Sequence, residues 1–237
     1  STLQTHLRVT PLAPIIISTL AANQSNTNMN KVLILGGSGF LGAELIHARA
    51  EGTIVYSTYF QNQLRLNGIK EIQVNFFDKN QLAKALLKIK PKFIIFSASL
   101  KPFEDREDFT SHIEPSFKLL ADFVNTEAIR FMFVSTDAVF DGSKGHYSEA
   151  DEPHPLTNYG KCKYWIENCI KGNFSNHIII RTSYIFGKNK FGYDKRTLDL
   201  INKITRPPLY YFNDVYRSPT EVSYLAQKCW PLLFSDY

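Results

Sequence analysis

The chain has 237 residues, 44% of them hydrophobic and 21% charged, a composition that suits one large globular domain with at most a small appendage. A formal net charge of +5, without any basic run interleaved with aromatics, speaks against nucleic acid and is compatible with an anionic small ligand. Cys162, Cys169 and Cys229 show neither CxxC spacing nor the density of a disulfide scaffold, and no HxxxH pair occurs, so free thiols in a reducing cytosol and no metal are expected.

Residues 1–30 contain no acid, the first being Glu44. The apolar patch Pro14-Ile15-Ile16-Ile17 is too short to span a bilayer, and no membrane association is expected. This stretch reads as an N-terminal extension that packs poorly and carries no chemistry. It is either an acid-poor leader or sequence upstream of a start at Met29.

From Lys31 onward short apolar runs alternate with amphipathic stretches, the rhythm of βαβ units. Strands are predicted at 31–35, 53–58, 71–75, 92–97, 130–135 and 177–181, and helices at 40–50, 79–88, 117–126 and 158–171. The strands are nearly continuous in Val, Ile, Leu and Phe, as in a parallel sheet covered on both faces. Asp78 stands at an N-cap position, and Pro91 closes the loop after the second helix. Beyond Arg181 the alternation weakens, and Pro207-Pro208 and Pro219 break the remainder into short pieces. The expected architecture is an α/β, doubly wound Rossmann-type domain over 31–181 with a small substrate-side appendage over 182–237.

Gly36-Gly37-Ser38-Gly39-Phe40-Leu41-Gly42 lies between the first strand and the first helix. Glycines in this GxxGxxG spacing permit a tight turn, let backbone approach a pyrophosphate and bring the helix close to the sheet. The anion then meets free N–H groups at the positive end of the helix dipole. After the second strand the run Ser57-Thr58-Tyr59-Phe60-Gln61-Asn62-Gln63 has no acid to repel a 2′-phosphate, and Arg65 is a candidate cation for it. NADP(H) is therefore expected, with NAD(H) as the alternative.

Tyr159 and Lys163 are four apart on a predicted helix and share a face. An ammonium beside a phenol favours the phenolate, which makes the tyrosine a usable general acid for a carbonyl under reduction. Together with Ser135-Thr136-Asp137-Ala138-Val139-Phe140-Asp141-Gly142, Arg181-Thr182-Ser183-Tyr184-Ile185-Phe186-Gly187 and Arg217-Ser218-Pro219-Thr220, these segments resemble the extended short-chain dehydrogenase/reductase family. Within it, the resemblance is closest to the group of dTDP-4-dehydrorhamnose reductases.

The resemblance implies a Thr136–Tyr159–Lys163 triad. Thr136 would hydrogen-bond the substrate carbonyl, Tyr159 would protonate it, and Lys163 would bind the nicotinamide ribose. It also implies that Asn75 and Phe76 line the adenine pocket, with Asn75 standing where the family usually has Asp. Ser97, Ala98 and Ser99 would pass beneath the cofactor. Ser183 would lie near the nicotinamide, Asp137 and Tyr184 near the sugar, and Arg217 near a sugar-nucleotide diphosphate. Related 4,6-dehydratases have Glu where this chain has Ala138, and alanine cannot transfer a proton, so reduction is expected rather than elimination.

Three departures from the family pattern stand out. His112 or a neighbour falls where a helix usually carries a relay Asn and is followed by Glu114-Pro115; Phe96 precedes Ser97 where Asn is common; and the portion after Lys31 is shorter than the family leads one to expect. Three functions follow from the resemblance: an NADPH-dependent reductase of a 4-keto-6-deoxy sugar nucleotide, a non-catalytic NADP-binding module similar to the regulatory subunit of methionine adenosyltransferase, or a sugar-nucleotide epimerase. The first would act in the cytoplasm on a sugar nucleotide, with a homodimer compatible; the second would act through a protein partner.

Overall fold

The computed structural model describes residues 30–101, 103–204 and 216–236; the expectations for 1–29 and for Pro207-Pro208 lie outside them. Six strands form one parallel sheet: β1 (Asn30–Leu35), β2 (Thr53–Tyr59), β3 (Lys70–Gln73), β4 (Phe93–Phe96), β5 (Arg130–Thr136) and β6 (His177–Thr182), in the order β3-β2-β1-β4-β5-β6. The order reverses between β1 and β4. That switch point opens a crevice at the carboxyl ends of the strands, where doubly wound sheets bind their ligands.

One face of the sheet is covered by α2 (Lys79–Ile89), α3 (Phe109–Thr126) and α4 (Asn158–Asn173). Leu33, Phe96, Phe131 and Phe133 point into this layer and meet Leu86, Phe117 and Ile166. The other face carries Val32, Ile34, Met132 and Ile180 against α1 (Phe40–His47) and α6 (Val222–Phe234). Alternate residues of one strand thus serve two cores, which is why the strands read as unbroken apolar runs.

Element ends follow local chemistry. The Asp78 carboxylate accepts from Asn80 N–H at 2.9 Å and Gln81 N–H at 3.2 Å, opening α2. These bonds, that from Gln81 N–H foremost, hold its pKa below the usual carboxylate value. Arg49 donates to the Ile46 carbonyl at 3.2 Å, and α1 stops at His47, short of the expected residue 50.

The largest correction concerns α3. It starts at Phe109, not 117, and runs through Pro115. Proline forfeits one helical hydrogen bond, but Phe109 and Ile113 lie a turn apart on the buried face. Burying two such side chains contributes about 3–6 kcal/mol, enough to outweigh the break.

Past β6 the chain forms β7 (Ile185–Phe186), β8 (Lys188–Asn189), β9 (Gly192–Tyr193), α5 (Lys195–Ile204), β10 (Thr220–Glu221) and then α6. None of these strands joins the main sheet. Helix α6 nevertheless shares the core of the Rossmann sheet: Val222, Leu225, Cys229, Trp230 and Leu233 are buried there, and Trp230 Nε1 donates to the Leu45 carbonyl at 3.0 Å. Arg130 at the base of β5 also hydrogen-bonds the Ser235 carbonyl. Among the described residues no helix is long and apolar enough to cross a membrane.

Candidate active site

The glycine turn is built by close approach. Gly36 has φ +88°, and a Cβ there would lie 2.4 Å from Ala98 Cα, so β1's exit and the turn after β4 touch backbone to backbone. Gly36 N–H donates to Thr58 Oγ1 at 3.0 Å, which spends the side chain at the end of β2 on holding the turn. Ser38 and Phe40 are partly exposed and Gly39 is exposed at the start of α1, and Gly39 N–H donates to the Gly36 carbonyl at 3.0 Å, closing the turn. Leu41 and Gly42 are buried, Leu41 in the α1–α6 core. In doubly wound sheets a glycine turn at this place faces the crevice where ligands bind.

Around it, Asn75 is held in a side-chain turn: its Oδ1 accepts Phe77 N–H at 3.1 Å, and its own N–H donates to Gln81 Oε1 at 3.0 Å. This turn ends β3 two residues before the expected end. Phe76 packs edge-on against Phe96 and Phe117 with centroids 5.1 and 5.5 Å away, so it supports the core as well as the crevice. Phe96 belongs to the same aromatic cluster, next to Phe131 and Phe133. Arg65 sits in an exposed loop with φ +56°; the Glu71 carboxylate accepts from the backbone N–H groups of Leu64 and Arg65 at 3.1 and 2.8 Å.

Ser97 N–H and Oγ both donate to the Leu35 carbonyl, at 3.0 and 3.3 Å. Ser99 Oγ donates to Glu104 Oε1 at 2.9 Å, and Leu100 N–H to Glu104 Oε2 at 2.9 Å. Glu104 is only 3% exposed. No motif marks it in the sequence, since a carboxylate in a loop is ordinarily solvated.

Thr136 ends β5, and its Oγ1 accepts Ala138 N–H at 3.2 Å, capping a single 3-10 turn over Asp137–Val139. Gly160, in the first turn of α4, sits against this turn so closely that a Cβ would lie 2.2 Å from the Ala138 carbonyl oxygen. The contact packs the first turn of α4, which carries Tyr159, against the turn that follows Thr136. The Thr157 hydroxyl accepts Gly160 N–H at 3.0 Å and fixes the helix start. One turn further, Lys163 is 5% exposed, its Nζ 5.6 Å from the Tyr159 ring centroid and 5.3 Å from that of Phe133. Burial pushes the lysine pKa down, and the nearby Glu104 charge opposes that shift.

The remaining predicted residues lie on the other side. The Ser183 hydroxyl oxygen is buried without a hydrogen-bond partner just past β6. Tyr184 donates to Asp194 Oδ1 at 3.0 Å and pairs with Thr197 Oγ1 at 3.1 Å. Arg217 makes an ion pair with Asp137 at 3.4 Å, so two residues predicted separately are neighbours. His112, at the departure noted above, stacks on Phe103 at 4.0 Å and contacts Asp108 at 3.4 Å. Asn189, unmarked in the sequence, donates to the Phe40 carbonyl at 2.9 Å and pins the β8–β9 ribbon to the start of α1. Among the described residues no group of three His, Cys, Asp or Glu side chains could hold a metal.

A parallel sheet with a glycine turn at its switch point and a Tyr–Lys helix at the same edge defines the chain as an extended short-chain dehydrogenase/reductase fold. The RmlD substrate binding domain model matches residues 29–235, and the chain belongs to that family. The dTDP-4-dehydrorhamnose reductase of Salmonella typhimurium is 27% identical over 206 residues, covering 82% of this chain and 64% of that protein. Methionine adenosyltransferase 2 subunit beta of Bos taurus is 29% identical over 181 residues, covering 71% and 51% respectively. The chain thus spans less than two thirds of these relatives. Among solved structures, a hypothetical dTDP-4-dehydrorhamnose reductase from Sulfolobus tokodaii superposes with TM-score 0.70 at 26% identity, covering 86% of this chain and 72% of the other. The Bordetella bronchiseptica enzyme WbmH, in complex with NAD+, shares the fold with TM-score 0.72 at 15% identity, covering 85% and 71%.

Proposed function

We propose that the chain is the catalytic, cofactor-binding part of an NADPH-dependent reductase acting on a 4-keto-6-deoxy sugar nucleotide. The observation that carries this reading is the buried Lys163 ammonium beside Tyr159, on a helix pressed by Gly160 against the turn that begins at Thr136. The relatives named dTDP-4-dehydrorhamnose reductase support the substrate class.

The residues fit a dinucleotide. The exposed turn at Gly39 suits the pyrophosphate, one lone pair of Asn75 Oδ1 remains for the adenine amino group, and the orphaned Ser183 hydroxyl suits the nicotinamide end. When bound, NADPH supplies a hydride to the ketone carbon. The chain's own part is proton delivery and charge stabilisation. Thr136 Oγ1 has its acceptor role filled by Ala138 N–H, while its proton is held only by a 3.4 Å contact to Asp137. That hydroxyl is poised to donate to a carbonyl oxygen. Tyr159 gives its proton to the same oxygen, and Lys163 holds the ribose and stabilises the phenolate left behind. Ala138 offers no proton for an elimination. Tyr184 and the Asp137–Arg217 pair are assigned to the sugar-nucleotide side, while α6 belongs to the core of the sheet.

The test is titration with NADPH and NADH, then a screen of keto-sugar nucleotides for cofactor oxidation. Tyr159→Phe is expected to lower kcat about 10²–10⁴-fold while NADPH affinity stays within about twofold. Retained turnover in that variant sinks the assignment. Arg65→Ala is expected to reduce the preference for NADPH over NADH about tenfold, the value of one charge-assisted contact; an unchanged preference removes Arg65 from the site.

A second reading, a non-catalytic NADP-binding subunit, is favoured by the 29% identity to methionine adenosyltransferase 2 subunit beta. It requires tight NADPH binding, no turnover, and co-elution with a methionine adenosyltransferase on gel filtration.

A further inference from the structure

Behind the candidate site lies a buried ionic cluster with no part in the mechanism above. Glu167 is 0% exposed, and its carboxylate takes the Arg181 guanidinium on both oxygens: Nη2 to Oε2 at 2.6 Å and Nε to Oε1 at 3.0 Å. Ser135 Oγ donates to Glu167 Oε1 at 2.5 Å. Arg181 also lies over the Phe140 ring, 5.0 Å from its centroid. One other charge is close: Lys171 Nζ lies 3.9 Å from Glu167 Oε2.

Taking two charges out of water offsets most of their attraction, so such a cluster does little for net stability. Its distinctive property is a single geometry, because a forked guanidinium on a carboxylate has one good arrangement. Each member is a near neighbour of a proposed functional residue. Glu167 lies one turn after Lys163 and two after Tyr159 on α4; Ser135 immediately precedes Thr136 on β5; Arg181, in register with Ser135, lies two residues before Ser183.

We propose that Glu167 and Arg181, hooked to β5 through Ser135, are positioning residues that fix Tyr159 and Lys163 of α4 against Thr136. The proposal rests on the reductase reading for what those three residues do, but the clamp itself is measurable without substrate.

The experiment compares wild type with Ser135→Ala, Ser135→Thr and Glu167→Gln, each first shown to be folded and to bind NADPH. Turnover is measured, and the Tyr159 phenol is titrated by NMR on tyrosine-labelled protein, with Tyr159→Phe identifying its signal. Ser135→Ala is expected to lower kcat about tenfold, with KM changed less than about twofold, because a displaced catalytic group costs rate rather than binding. Its Tyr159 midpoint is expected to shift away from that of wild type, as Lys163 loses its fixed place. Ser135→Thr, which keeps a hydroxyl, is expected to restore both. If Glu167→Gln fails to fold, the serine pair still decides. A wild-type midpoint and rate in Ser135→Ala overturn the clamp. If wild type shows no turnover yet the midpoint moves, the clamp stands and the reductase reading falls. If turnover exists and neither rate nor midpoint moves, the reading stands and the clamp falls.

Discussion

At the scale of single residues, close approach decides more than conformational freedom. Gly160 has no unusual backbone angle to justify it; its value is the space it leaves for the Ala138 carbonyl. Gly160→Ala must push α4 away from the 3-10 turn. It is expected to cost about 1–3 kcal/mol in a denaturant melt and to lower kcat more than it raises KM, because Tyr159 moves with the helix. A melt and a rate both unchanged would mean the contact is looser than described. The sequence displays Gly160 as part of a recognisable motif, but only the structure supplies its reason. Asn189 escaped prediction because its partner is remote in sequence, Phe40 across 149 positions; Glu104 meets only the nearby Ser99 and Leu100, but its burial is set by the fold and not by those neighbours.

At the scale of elements, the inner strands were legible because they are apolar on both faces, and the positions of all six, the polar edge strand β3 included, agree with prediction to within two residues at every end. Helix α3 was legible only from Phe117, since Pro115 argues locally for a break while Phe109 and Ile113 argue for continuation through contacts that a sequence does not display. The proline should still be a local weakness. Pro115→Ala returns an N–H within reach of the Ser111 carbonyl, and a gain of about 1 kcal/mol is expected, read as a raised Tm. A lowered Tm would show that the proline is stabilising here by stiffening the unfolded chain. The tail was the least legible region. Its short ribbons carry little periodicity, and the apolar stripe of α6 does not announce that it completes the layer beside α1 rather than covering a sugar.

At the scale of the whole molecule, α6 makes the carboxyl-terminal segment part of the main core. Trp230 is 3% exposed and hydrogen-bonded to Leu45. Trp230→Ala is expected to destabilise by about 3–5 kcal/mol, measured by chemical denaturation. A cost below 1 kcal/mol would mean α6 is only loosely docked. Cys229, on the same helix, gives the molecule an alkaline limit. Burial pushes its thiol from the usual 9.0 up to about 12, so between these values the unfolded chain sheds a proton that the folded chain keeps. Stability should therefore fall as pH rises through that window, by about 1.4 kcal/mol per pH unit for this one thiol. Lys163, with its pKa lowered by burial, works in the opposite sense, since its burial costs most while the unfolded lysine is charged. Cys229→Ala isolates the thiol contribution: its alkaline slope should be shallower than that of wild type, and an identical slope would refute the assignment.

The bond between Trp230 and Leu45 spans 185 positions. During translation the helix that follows the glycine turn emerges long before the surface it leans on. Until then one flank of the sheet must present its leucines and isoleucines to water, a state in which chains of this size adhere to one another. Assembly of the nucleotide crevice is thereby postponed until α6 has been made, and a folding helper that shields that flank would govern how much active material a cell recovers.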